Sequence, residues 1–151
     1  MINRIAGISG TYLLQLALAR SVSITIGKLG RFEFCAGSYY YVGSAFGPGG
    51  LKARIRHHLD GSSRLHWHID YLRQKAPLTA VWVSQDDCHL EHIWSEKMCP
   101  MSQKSIPVVG FGSSACGCDT HLFCLSGEHN MKKITKCLQQ VSNHLEYVNL
   151  V

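Results

Sequence analysis

The chain between Gly10 and Gly43 reads GTYLLQLALARSVSITIGKLGRFEFCAGSYYYVG, and this stretch decides the fold class. β-Branched and aromatic residues fill it and glycines punctuate it, which is the composition of consecutive antiparallel strands joined by turns. Tyr12 to Leu18 is expected to form the first strand. Val22 to Ile26 alternates apolar and polar residues, and Gly27-Lys28-Leu29-Gly30 makes a turn into Arg31 to Cys35, giving a hairpin. Tyr39 to Val42 supplies another strand, so the early chain reads as a meander.

Beyond this stretch the pattern changes period. After the turn cluster Gly47-Pro48-Gly49-Gly50, Leu51, Ile55 and Leu59 recur every four residues, as on one face of a helix that ends at Gly61-Ser62-Ser63. Arg54 and His58 lie one helical turn apart on a neighbouring face, and Arg56 points elsewhere. Trp67, Tyr71 and Leu72 predict a second helix stopped by Pro77, and Leu78 to Ser84 a β-strand. Asp86 and Asp87 are expected to cap a helix that holds Leu90, Glu91, Ile93 and Trp94. Pro100 to Cys118 reads as an irregular loop packed over something, and Glu128 to His144 as a terminal helix. The fold class is therefore α/β in the mixed α+β sense: a small antiparallel sheet with an inserted β-hairpin, flanked by helices.

Composition bounds the rest. With 151 residues, 46% of them hydrophobic and 17% charged, the chain can bury a core and is expected to form one domain, its nucleus at about 9–95 and a C-terminal loop and helix at 100–147. Seven scattered cysteines suit reduced thiols in a cytoplasmic protein better than a disulfide scaffold. The apolar run from Tyr12 to Ala19 after Arg4 is too short, and too broken by Gln15, for a signal peptide, and no run approaches a membrane span. The net charge of +5 is concentrated: Lys52, Arg54, Arg56, Arg64, Arg73 and Lys75 share one stretch with only Asp60 and Asp70 as acids, and His57, His58, His66 and His68 sit among them. A solvated helical face is the plain reading of such a run; a polyanionic partner, nucleic acid above all, is the functional one.

Gly10-Thr11-Tyr12 opening one strand, Tyr41-Val42-Gly43-Ser44-Ala45 closing another, and Arg54 on the helix that follows together resemble the GIY-YIG nuclease superfamily. The stretches from Arg64 to Leu72 and from Gly110 to Ser114 are similar to its compact Uri-type endonuclease branch. The resemblance implies a hydrolase cutting phosphodiester bonds, most simply in DNA, with Tyr12, Tyr41, Arg54, His58 and Glu91 as catalytic residues. It casts Tyr12 as the residue that activates water, Tyr41 as its partner on the next strand, and Glu91 as the ligand of one Mg²⁺ or Mn²⁺ ion. Gly43, Lys52, Arg56, His66 and His68 are the candidates for contacting substrate. The hairpin from Val22 to Cys35 lengthens the spacing between the tyrosine motifs and is expected to be an insertion between the two strands.

The chemistry asks for these residue types. An attacking water must lose a proton while charge builds on a crowded phosphate, and a single carboxylate with waters suits Mg²⁺, which dehydrates reluctantly. Glu91 is preferred to Glu96, and to Asp86 and Asp87, by its place at the start of the helix after the β-type run. An arginine fork matches two phosphate oxygens and never loses its charge, so lysine at position 54 should be a poor substitute. A phenol is a weak base at neutral pH unless a cation lowers its pKa, and His58 is the candidate proton relay, with a core histidine as the competing reading.

Cys116, Cys118, His121 and Cys124 crowd soft ligands into a short span, and a structural zinc is the chemistry they would allow. Their spacing is not that of paired zinc cysteines, and buried thiols beside a packing histidine are the preferred reading. Two further functions are open beside the nuclease: a nucleic-acid-binding module that kept the fold and lost turnover, and a zinc-stabilised interaction domain.

Overall fold

The computed structural model describes residues 4–61, 64–102, 108–113, 117–125 and 130–151. Seven strands and four α-helices occur among them: β1 (Gly10–Leu18), β2 (Val22–Ile26), β3 (Gly30–Phe34), β4 (Gly37–Ala45), α1 (Gly50–Asp60), α2 (His68–Arg73), β5 (Leu78–Ser84), α3 (Glu91–Met98), β6 (Leu122–Leu125), α4 (Asn130–Gln139) and β7 (Leu145–Asn149). Five strands make a sheet of order β6-β4-β1-β5-β7, with antiparallel neighbours throughout. The fold is mixed α+β, as the sequence predicts.

β1 lies at the centre, and its two faces bury different cores. Tyr12, Leu14, Leu16 and Leu18 pack with Tyr39, Tyr41, Val81 and Val83 beneath Leu51 and Ile55 of α1 and Ile69 and Leu72 of α2. Leu13, Tyr40, Val42 and Trp82 face the other way, against Trp94 and Met98 of α3 and Ile134 and Leu138 of α4. Burial on both faces accounts for the almost unbroken apolar run of β1, where a half-solvated strand would alternate.

β2 and β3 form the inserted hairpin, but not as part of a meander: they make a separate two-stranded sheet, while β1 pairs directly with β4 from Gly10↔Ala45 to Leu18↔Gly37. The hairpin is held by its own apolar face, since Ile24, Ile26 and Phe34 sink into the core that contains α2.

Three expectations are corrected. The terminal helix is shorter than its pattern suggested: α4 ends at Gln139, and Leu145–Asn149 is β7, paired with β5. Glu128 lies outside the described residues. Hydrogen bonding explains the strand, because β7 satisfies the backbone groups along the edge of β5 that would otherwise be open. Leu122 to Leu125, expected to belong to a loop, is β6 and covers the opposite edge on β4. Asp86 does not cap α3, which starts after Leu90 without a side-chain cap. Its carboxylate accepts instead from Ser84 Oγ at 2.5 Å and from the Asn143 amide at 3.0 Å, tying the end of β5 to the turn before β7.

No helix among the described residues is long and apolar enough to cross a membrane.

Candidate functional site

The two tyrosines reach one place from adjacent strands. β1 and β4 are in register with Tyr12 opposite Gly43 and Tyr41 opposite Leu14, so both rings stand on the α1 face of the sheet. Gly43 is explained by this geometry rather than by substrate. A Cβ there would lie 2.4 Å from Cζ and Oη of Tyr12, so the ring crosses the strand where a side chain is missing. Gly112 does the same for Tyr41: its φ of +70° is the left-handed region, and a Cβ would lie 2.7 Å from the ring. The loop 108–113 is therefore seated on Tyr41, with Phe111 edge-on to that ring at a centroid distance of 6.0 Å.

α1 supplies the cations and the histidine. Its apolar stripe, Leu51 and Ile55, faces the sheet and carries His58 into the core, where the residue is 1% exposed. Tyr12 Oη and His58 Nε2 lie 2.9 Å apart, a buried hydrogen bond. One turn earlier, Arg54 is close enough to the Tyr12 oxygen for its charge to act on it and lays its guanidinium 4.3 Å above the Trp67 ring. Gly61, in the left-handed conformation, closes the helix as predicted.

Glu91 is the first residue of α3, and its side chain is 26% exposed. It lies 2.8 Å from His121 Nδ1, with Ser44 close enough to favour its charged form. Burial alone would raise its pKa, but the hydrogen bond and charge of His121, then Ser44 and His89, outweigh it and hold the carboxyl below its ordinary value. Glu91 is close enough to both phenols for its charge to act on them.

These surroundings set the protonation states. Burial pushes the Tyr12 hydroxyl well above the usual phenol range; Tyr41 and Glu91 add to the shift and Arg54 opposes it. Tyr41 is raised as well, first by burial and then by Glu91. Both phenols are neutral donors at physiological pH, so Tyr12 is a poor base on its own. Burial, followed by His57, lowers His58 to about 3, which keeps the imidazole neutral.

The predicted catalytic residues Tyr12, Tyr41, Arg54, His58 and Glu91 are thus brought together. The predicted substrate contacts are not a set. Arg56 is exposed, Lys52 is half-buried on α1, and His66 is exposed, lying beside Trp67 with a ring separation of 4.8 Å. His68 is a structural post: its Nδ1 accepts from the Gly112 amide at 2.9 Å, and burial lowers its pKa in keeping with a neutral acceptor.

The cysteine cluster disperses among the described residues. His121 serves Glu91, Cys124 lies on β6 opposite Tyr39 with Cys35 nearby, and Cys118 Sγ is 3.0 Å from His92 Nδ1. Strand alternation and the turn before β6 send neighbours in sequence to different faces, so proximity along the chain does not become a ligand sphere. Cys116 lies outside the described residues. Two partners escaped the sequence reading: His121 as the support of Glu91, and Asp70, which accepts from the His66 and Trp67 amides at 2.8 Å each and lies 3.2 Å from His57 Nε2. The acid three residues into a short helix after Trp67 was the available clue to Asp70.

Among known proteins, no curated relative and no solved structure matches the chain. One family model does, described as a domain of unknown function, DUF123, and it covers residues 11–145, from the start of β1 to the start of β7. That span takes in four of the five strands of the sheet, β1 but for its first residue and β4, β5 and β6 whole, together with all the residues gathered around Tyr12, and the chain belongs to the DUF123 domain family.

Proposed function

We propose that this chain is a divalent-metal-dependent endonuclease of the GIY-YIG type, close to the Uri-type branch, that hydrolyses phosphodiester bonds in DNA. One observation carries the reading: Tyr12 and Tyr41 on paired strands share their surroundings with the Arg54 guanidinium and the ionised Glu91 carboxylate. A constellation of two donors, a fixed cation and one partly exposed acid fits a phosphate and its counter-ion better than it fits a packed core.

Glu91 is the residue that would hold the ion. A single carboxylate kept ionised by His121 and Ser44 and still reached by solvent suits Mg²⁺ or Mn²⁺, which retain most of their waters. When bound, such an ion supplies the positive charge that acidifies water and offsets charge on the phosphate. Arg54, braced on Trp67, grips phosphate oxygens through its fork. The protonated Tyr12 and Tyr41 hydroxyls donate hydrogen bonds and orient the reacting groups, and neutral His58, 2.9 Å from the Tyr12 oxygen, holds that hydroxyl in place rather than relaying a proton, because an imidazole lowered to about 3 is a poor acceptor. This division of labour departs from the expectation that Tyr12 alone activates water, because its burial favours the phenol over the phenolate.

The test is nicking of supercoiled and branched DNA by the purified chain with Mg²⁺ or Mn²⁺, set beside Glu91→Gln. The variant should bind DNA as wild type does and nick it roughly a hundredfold to a thousandfold more slowly. Equal cutting by the variant removes Glu91 from the mechanism. Salt-sensitive binding without cleavage under any metal would make the chain a binding module instead.

A further inference from the structure

A second cluster lies behind the tyrosines and shares only His58 with the reading above. His57 and His58 at the end of α1 and Asp70 in α2 each offer one ligand atom, and the three atoms lie within 4.8 Å of one another. We propose that His57, His58 and Asp70 form a binding site for a transition-metal ion of the Zn²⁺ class, with water as the remaining ligand.

Four features of the cluster support this. His58 is 1% exposed, and with Nε2 engaged by Tyr12 its Nδ1 is buried with no hydrogen-bond partner. An orphaned imidazole nitrogen in a core is costly unless something fills its lone-pair direction. Asp70 is oriented for a ligand: the two amides of residues 66 and 67 hold Oδ2, leaving Oδ1 turned to His57. Such outer hydrogen bonds are the usual way a metal carboxylate is fixed. The separation of 3.2 Å between His57 Nε2 and Asp70 Oδ1 is near the roughly 3.3 Å that separates two ligands on a tetrahedral ion with bonds of about 2.0–2.1 Å. His57, at 27% exposure, gives an ion its way in.

The donor set selects the ion. Two imidazoles and one carboxylate suit Zn²⁺, Co²⁺ or Ni²⁺, and are a poor match for Mg²⁺. The neighbouring guanidiniums disfavour a weakly held dication; Arg73 is committed to the carbonyls of His58 and Leu59, and Arg54 is held over the Trp67 ring. Occupation would also settle a tautomer. With Nδ1 bound to metal, the proton sits on Nε2 and is donated to the Tyr12 oxygen, fixing the phenol that the proposed nuclease reading employs.

The experiment is binding rather than catalysis, so it stands apart from the fate of the nuclease reading. The reduced full chain is dialysed against Zn²⁺ and its metal content measured, beside His57→Gln, Asp70→Asn and Glu91→Gln, with folding checked by far-UV circular dichroism. Asparagine still accepts the two amides, so Asp70→Asn keeps the turn and weakens only the ligand. Wild type and Glu91→Gln should hold one more equivalent than His57→Gln and Asp70→Asn, whose affinity falls roughly tenfold or more. Co²⁺ in place of Zn²⁺ separates this site from the thiols, since the absorption lost in His57→Gln should lie in the d–d region and not in thiolate charge-transfer bands. Wild type that retains no ion, or folded His57→Gln and Asp70→Asn that retain as much as wild type, would overturn the site.

Discussion

Replacing Gly43 by alanine tests the geometry on which the site depends. The added Cβ would stand 2.4 Å from Cζ and Oη of Tyr12 and 2.8 Å from Cε2, where carbon atoms in contact are about 3.5–4.0 Å apart. The ring must therefore shift by about 1 Å or the two strands must part. Neither is easy: Tyr12 is 1% exposed, and its hydroxyl is tied to His58. Overpacking of this kind costs about 1–3 kcal/mol. For a chain of this length each kcal/mol lowers the melting temperature by about 2–4 °C, so a loss of about 2–12 °C is expected. A double-mutant cycle isolates the cause. Tyr12→Leu removes the part of the ring that the Cβ would strike, so Gly43→Ala should cost less in that background, with a coupling of about 0.5–3 kcal/mol. Thermal denaturation of the four proteins measures it. Additivity within about 0.5 kcal/mol, or a Gly43→Ala protein that melts with wild type, would refute the account of why glycine stands opposite this tyrosine.

Asp86→Ala should destabilise the fold by about 1.5–3 kcal/mol, the loss of hydrogen bonds to a charged acceptor, and should loosen β7 first, as local hydrogen exchange would report. Burial opposes ionisation of Asp86, but the hydrogen bonds from Ser84 and the 143 and 144 amides hold its pKa below the ordinary 3.8; its contribution is complete above 3.8 and is lost as pH falls through the folded value. Urea unfolding between neutral and acid pH should therefore show a steeper acid limb in wild type than in the variant. Arg54→Lys keeps the charge but loses both the fork and the planar stack on Trp67, so under the proposed function nicking should fall roughly a hundredfold with the circular dichroism spectrum unchanged; near-wild-type nicking would mean that a point charge suffices.

The sheet was largely legible because each of its central strands carries its own pattern. β1 and β5 are apolar on both faces, and the turn glycines bracket β2 and β3. β6 and β7 were not legible for the opposite reason. Leu122–Leu125 is four residues long and Leu145–Asn149 five, and both are strands because an open sheet edge receives them, a condition set by β4 and β5 far away in the chain. Periodicity describes what a segment can do; a partner edge decides whether it does it.

The same distinction runs through the candidate site. Tyr12, Tyr41 and Arg54 could be read because the motifs that carry them, Gly10-Thr11-Tyr12, Tyr41-Val42-Gly43 and the helix after Gly50, resemble those of a known family, and the glycine of the Tyr-x-Gly motif becomes intelligible once Tyr12 is seen lying across it. His121 and Asp70 could not be read this way. His121 meets Glu91 only because β6 docks on β4, and Asp70 meets His57 only because α2 folds back on the end of α1. Both are ionisable side chains whose value lies in a contact across elements, and both act on a residue that was legible: His121 keeps Glu91 ionised, and Asp70 adds to His57 and His58 a third ligand atom within reach of one ion. Sequence pattern thus found the groups that would touch substrate, and tertiary contact supplied the groups that tune them. The two roles separate experimentally as well, since changes at Glu91 should appear in cutting, and changes at His57 or Asp70 first in bound metal.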